Sequence, residues 1–263
     1  MDYLKINRDS WNQRVEPHLS SDFYDVAGFK AGKNSLNQIE LDLLGDVKGK
    51  RILHLQCHFG QDTMSLSRMG ANCVGVDFSE KAIASAEEIK KELGLETTFI
   101  CSDIYSLDSS ILNEKFDIVF TSYGTIGWLP NINEWAQVVR SFLKEDGHFI
   151  IAEFHPVIWM FDDDVKKVTY SYFNRETIEE MEEGSYTDKS EHLRTKFLTW
   201  NHGLTEVFNA LKSQGLQISN FHEYDYSPYN CFRNTVEIEK GKFMIKGFEK
   251  KFPLVYSMKW NVK

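Results

Sequence analysis

A chain of 263 residues with 42% apolar and 26% charged side chains matches ordinary globular usage and is long enough to bury a sizeable core. A formal net charge of −9 opposes the attraction on which nucleic-acid binding rests, so a small-molecule partner is favoured over DNA or RNA. The start MDYLKINRDSWNQR lacks an apolar signal core, and the longest apolar run, HFIIAEFHPVIWMF (148–161), is too short to span a bilayer. With four scattered cysteines, Cys57, Cys73, Cys101 and Cys231, the chain is expected to be a cytoplasmic protein with free thiols and no membrane segment.

Residues 1–49 precede the first strand-like run and carry Trp11, Phe23, Tyr24 and Phe29, an aromatic set expected in a helical cap. From 51 to 154, short apolar runs alternate with helical patterns, the mark of βαβ units and a parallel sheet. The runs are RILHLQC, NCVGVDF, TTFIC, FDIVFTS and HFIIAEF. Between them, QDTMSLSRM stops at Gly70, SEKAIASAEEIKKEL starts at the N-cap Ser79 and stops at Gly94, and NINEWAQVVRSFL opens with a capping box, Asn131 and Glu134. Residues 156–200 break this alternation, and their charged and aromatic run reads as an inserted lid. HGLTEVFNALKSQ then gives a helix stopped by Gly215, LQISNFHEY a sixth strand and FPLVYSMKWNV a seventh, with a hairpin turning at 239–242 between those strands. The whole chain, 1–263, is expected to form one domain.

In an open parallel sheet the ligand lies beyond the carboxyl ends of the strands. Here the first strand ends in Gln56, His58 and Gly60, the second in Asp77 and Phe78, the third in Asp103 and Ile104, and the fourth in Ser122 and Tyr123. An ionised carboxylate such as Asp77 accepts two hydrogen bonds at once, as a ribose diol requires. The order of these features resembles the class I S-adenosylmethionine-dependent methyltransferases, and HLQCHFGQD resembles the loop of a variant bacterial subgroup. The resemblance implies a doubly wound, mostly parallel, seven-stranded Rossmann-like α/β sheet, its last strand antiparallel, with S-adenosyl-L-methionine as cofactor. It further implies that Asp77 holds the ribose, that Asp103 binds the adenine amino group, and that Ser122 and Tyr123 face the reacting methyl. Tyr24, Gln56, His58, Gly60, Phe78 and Ile104 complete the expected cofactor site.

The family usually has an acid at the position of His54 and glycines at those of Gln56 and His58; only Gly60 matches. S-adenosylmethionine has no phosphate, so the glycine requirement is expected to be weaker, with Gly60 kept where the ligand approaches closely. Gln56 and His58 then either take ordinary negative φ or tolerate a left-handed backbone at about 1 to 2 kcal/mol each. His54, Cys57 and His58 lie close in sequence, but adjacent strand positions face opposite ways and no fourth ligand is evident, so no metal is expected.

Methyl transfer to a small-molecule acceptor by in-line displacement is the expected reaction. If the acceptor must lose a proton, Tyr123, His155 and His202 are the candidate bases, following strand four, following strand five and heading the later helix. His155 precedes Pro156 and reads equally as a turn residue. Trp128 and His202 are expected to border the acceptor. The acidic run 162–164 reads as a solvated surface, or as a receptor for a cationic substrate under a closed lid. The alternatives are a non-catalytic binder of the cofactor or a nucleoside, and a methyltransferase with an RNA or protein acceptor. A nicotinamide enzyme is disfavoured because G-x-G-x-x-G is missing after the first strand.

Overall fold

The computed structural model describes residues 2–108, 110–189 and 191–263. Met1 and Ser190, which fall within the expected cap and insertion, lie outside the described residues. Three helices come first, α1 (Tyr3–Ser20), α2 (Val26–Lys30) and α3 (Gln38–Leu44). The alternating segment follows as β1 (Arg51–Leu55), α4 (Gln61–Arg68), β2 (Asn72–Asp77), α5 (Glu80–Leu93), β3 (Thr98–Cys101), β4 (Phe116–Ser122), α6 (Ile132–Phe142) and β5 (Leu143–Phe154). The insertion contributes a hairpin, β6 (Ile178–Glu183) and β7 (Arg194–Thr199). The chain ends with α7 (Leu204–Ser213), β8 (Leu216–Tyr224), a second hairpin β9 (Thr235–Glu239) and β10 (Lys242–Ile245), and β11 (Val255–Val262).

Seven strands form one sheet in the order β3-β2-β1-β4-β5-β11-β8. β1 to β5 pair in parallel, and β11 runs antiparallel to both β5 and β8. This is the seven-stranded, mostly parallel, Rossmann-like architecture of the class I methyltransferases. Strand alternation decides which side each residue packs on. Leu53 and Leu55 of β1 join Val138 and Val139 of α6 and Leu211 of α7, whereas Ile52 joins Leu43 of α3 and Leu66 of α4. Both faces of the sheet are therefore covered, as buried parallel strands require.

The helix signals hold at the atomic level. Ser79 Oγ accepts the Ala82 N–H at 3.1 Å, Asn131 Oδ1 accepts that of Glu134 at 3.2 Å, and Gly94 ends α5 in a left-handed conformation. β5 begins five residues before HFIIAEF, because Leu143 already pairs with Phe116 across an irregular register. Among the described residues, no helix is long and apolar enough to cross a membrane.

Candidate active site

The backbone after β1 keeps the shape of a glycine-rich turn although most of the glycines are gone. Gln56, His58 and Gly60 have φ of 57°, 51° and 76°, so left-handed residues recur at alternate positions. The conformational requirement is thus retained rather than relaxed, and two non-glycine residues carry it at about 1 to 2 kcal/mol each. The turn is held from several sides. Cys57 N–H donates to Val76 O at 2.9 Å, His58 N–H to Asp77 Oδ2 at 2.8 Å, and Gln56 Nε2 to Thr125 O at 2.9 Å. Gly60, which lines the cavity, also leaves room for Phe99: a Cβ there would lie 2.3 Å from its ring.

Asp77 closes β2 with each oxygen on a backbone N–H, Oδ2 on His58 and Oδ1 on Ser79 at 2.9 Å. Burial pushes its carboxyl up to about 6 against those hydrogen bonds, leaving it an acceptor at neutral pH with lone pairs to spare. After β4 the chain again turns through left-handed residues, Tyr123 at 35° and Gly124 at 69°. Buried Glu153 of β5 fixes this turn by accepting the N–H groups of Gly124, Thr125 (2.8 Å) and Ile126 (3.3 Å) and the Thr125 hydroxyl (3.0 Å). These turns border one cavity of about 800 Å³, within the range of small-molecule sites.

Ten of the thirteen expected site residues line this cavity: Tyr24, Gln56, His58, Gly60, Asp77, Phe78, Ser122, Tyr123, Trp128 and His202. Asp103, Ile104 and His155 do not. Ile104 is buried in the core beside Trp135 and Leu107. Asp103 is half-buried, close enough to Tyr3 that its charge adds to burial in pushing the Tyr3 hydroxyl up to about 12. Helix α1 fastens beside these strand ends, where Asn12 bonds both Ser79 Oγ (2.7 Å) and Glu80 (2.8 Å). His155 spends its ring elsewhere, with Nδ1 accepting the Val157 N–H at 3.2 Å and Nε2 lying 3.0 Å from Glu223 of β8. His54 is a buried strand histidine bonded to Thr63 at 2.8 Å, and burial lowers it to about 3.

The other wall comes from distant segments. Trp11, Phe23 and Phe29 line the cavity with Tyr24. Buried Arg14 of α1 pairs with Glu182 of β6 at 2.8 Å and lies over the rings of Trp11, Trp128 and Phe197. His18 bridges His58 (3.0 Å) and Ser185 (2.7 Å), Tyr24 bonds Tyr186, and Asn7 exchanges two 2.8 Å bonds with the Leu198 backbone. Burial holds His18 and His58 neutral, lowered to about 2 and about 3. In the acidic run Asp162 accepts the Lys166 N–H (2.7 Å), Asp164 pairs with Lys166 and Asp163 lies 3.9 Å from Arg233, while Asp162 and Asp163 also line the cavity.

Sequence reasoning missed Arg14, Glu40, Asp62, Glu153 and Glu182. Asp62 and Glu153 left a trace: one directly follows the retained glycine turn, and the other is a charge inside an apolar strand. Glu40 showed only its capping spacing from Asn37.

A family model described as a methyltransferase domain matches residues 46–214, more than half of the chain and the segment that carries both turns and Asp77. The chain belongs to this methyltransferase domain family. The chain is 28% identical over 119 residues to phosphoethanolamine N-methyltransferase 1 of Triticum aestivum, covering 43% of its own length and 23% of the wheat protein. It is 29% identical over 137 residues to a ubiquinone biosynthesis O-methyltransferase of Coxiella burnetii, covering 51% and 57%. It therefore spans well under two thirds of either relative. An S-adenosylmethionine-dependent methyltransferase from Clostridium acetobutylicum shares the fold at a TM-score of 0.56 and 18% identity, with 97% and 98% of the two chains covered.

Proposed function

We propose that this methyltransferase moves a methyl group from S-adenosyl-L-methionine to a small-molecule acceptor held in the same cavity. The reading rests above all on one observation. Left-handed residues at 56, 58 and 60 stand beside a buried Asp77 whose oxygens are fixed by that turn and border the cavity. The lining carries both signs of charge: Asp25 is paired with Lys33 and Arg14 with Glu182, while Asp77 and Asp62 border the cavity near the turn, where a sulfonium and an ammonium would find acceptors. Among the described residues, Gln56 Oε1 and His58 Nδ1 are buried without a hydrogen-bond partner on that lining.

When bound, the cofactor supplies a methyl carbon already activated for displacement, so the protein's task is to position and to exclude water. Asp77 holds the ribose hydroxyls, Phe78 packs beside them, and the 56–60 turn with Ser122 and Asp62 holds the other end. Trp128 and His202 border the acceptor; His202 Nε2 donates to Leu129 O at 2.8 Å, which fixes the ring. Residues 1–49 act as a cap and 156–200 as a lid, a division supported by the direct bonds from Asn7, Arg14, His18 and Tyr24 to the insertion. Four free cysteines support a reducing, cytoplasmic setting.

Calorimetry with S-adenosylmethionine, S-adenosylhomocysteine and NADH side by side tests the reading. Binding of the first two and not the third is expected, and NADH binding alone overturns it. Asp77→Ala is expected to weaken cofactor binding by about 1.5 to 3 kcal/mol, the loss of a charge-assisted bidentate contact. Unchanged affinity in a folded Asp77→Ala protein removes that residue from the site.

A further inference from the structure

Tyr123 is the first residue past β4, held at a φ of 35° that few non-glycine residues adopt, and it borders the cavity. Its hydroxyl donates to Glu40 Oε2 at 2.9 Å. Glu40 lies on α3, wholly buried behind that ring, and its other oxygen accepts the Asn37 N–H at 3.3 Å. Because the phenolic proton is directed at Glu40, the Tyr123 oxygen has only its lone pairs free for other partners.

The ring stands among other rings. Tyr229 meets it edge-on at 5.0 Å and Phe154 at 5.5 Å, and Phe232 and Trp159 extend the wall from Phe154 at 5.0 and 5.8 Å. All five side chains line the cavity. The titratable groups facing Glu40 and Tyr123 are Asp62 of α4 and Tyr229, and Cys231 in turn faces Tyr229.

We propose that Tyr123 and Glu40 form a proton relay and that the acceptor is an aromatic hydroxyl compound, methylated on oxygen. The proposal rests on the reading of the chain as an S-adenosylmethionine-dependent methyltransferase. A planar ring suits a wall of aromatic faces, and a phenol with a pKa of about 10 is almost wholly protonated at neutral pH, so its oxygen needs a base. The acceptor O–H proton passes to the Tyr123 oxygen as the Tyr123 proton passes to Glu40. The acceptor oxygen pair forms the new O–C bond, and the broken C–S pair stays on sulfur. After product leaves, the Glu40 proton returns to the Tyr123 oxygen as the Tyr123 proton passes to water in the cavity. Burial, with the Asp62 charge second, pushes the Glu40 carboxyl up to about 7, where it takes and releases a proton readily.

The test measures S-adenosylhomocysteine formation by the full chain from pH 5.5 to 9, with catechol and 4-nitrophenol as acceptors and aniline and ethanolamine as amine controls. Catechol turnover is expected to rise with pH to a plateau through an apparent pKa near the Glu40 value. Glu40→Gln, which keeps both hydrogen-bonding partners, is expected to lose about 100-fold in kcat with catechol and to flatten the pH limb. With 4-nitrophenol, already ionised at pH 8, the loss is expected to be much smaller. Tyr123→Phe is expected to behave alike and serves alone if Glu40→Gln does not fold. Equal losses on both phenols overturn the relay, and turnover of the amines without the phenols overturns the acceptor class. Calorimetry separates the two levels: no cofactor binding by the wild type defeats the underlying reading, whereas binding with no phenol turnover defeats only this proposal.

Discussion

The two halves of the cavity are built by different means. The half at the ends of β1, β2 and β4 is made from residues a few positions past a strand, its turns fixed by side-chain-to-backbone bonds, His58 N–H to Asp77, Thr125 N–H to Glu153 and Gln56 Nε2 to Thr125 O. The opposite half is made from side chains that meet across more than 160 residues, Arg14 with Glu182, His18 with Ser185, and Tyr24 with Tyr186. In the first wall side chains hold main-chain turns, while in the second side chains hold one another. The first half should therefore tolerate loss of side chains other than Asp77 and Glu153, and the second should lose its shape when one partner goes.

Arg14 gives the largest expected effect. Its guanidinium is buried while Glu182 keeps partial exposure. Arg14→Ala removes the ion pair and three ring contacts at once, and should destabilise the protein by about 3 kcal/mol in urea unfolding. A loss below about 1 kcal/mol would mean that the wall does not depend on this pair.

The pH response of stability should show Glu40 and the buried histidines pulling in opposite directions. Glu40 titrates near 7 when folded against 4.5 for the free group, so the stability present below pH 4.5 is lost as pH rises through 7. His18, His54 and His58 are lowered by burial to about 2, 3 and 3 from 6.5, so the stability they allow above pH 6.5 is lost as pH falls below it. Because three histidines outweigh one carboxyl over the shared window, stability in thermal unfolding should rise from pH 5 and level off above about 7, and Glu40→Gln should steepen that rise. An unchanged slope in that variant would show that Glu40 takes no part in the pH response.

The smallest effect is expected at the retained turn. Gln56→Gly removes a left-handed strain of about 1 to 2 kcal/mol and also the Gln56–Thr125 bond of about 1 kcal/mol, so stability should change by less than about 1 kcal/mol either way. A loss of several kcal/mol would show that the side chain, rather than the turn, holds this part of the site.

The cofactor half was legible because its signals are local. A strand end, an N-cap such as Ser79 and an acid such as Asp77 are set by neighbours in the chain, and period-two alternation fixes which residues face the core. Asp103 and Ile104 escaped that logic because helix α1 and the core take up the end of β3, and no local pattern reports what a distant helix covers. His155 failed likewise, since its partner Glu223 lies on a strand placed beyond β11 by the sheet order. Glu40 is the sharpest case: its spacing from Asn37 announces a helix cap, and only folding sets it behind Tyr123.

By itself, then, the sequence determined the alternating βαβ order, the caps and stops, and the acid at the end of β2, all of which follow from short-range sterics, capping and strand alternation. Only the tertiary structure decided that a turn nearly stripped of glycines keeps its left-handed path. It alone decided that α1 and the insertion close one wall, and that a capping glutamate stands behind a tyrosine. Each of those depends on packing between segments far apart in the chain, where burial and close contact, rather than local preference, fix the conformation and the charge state.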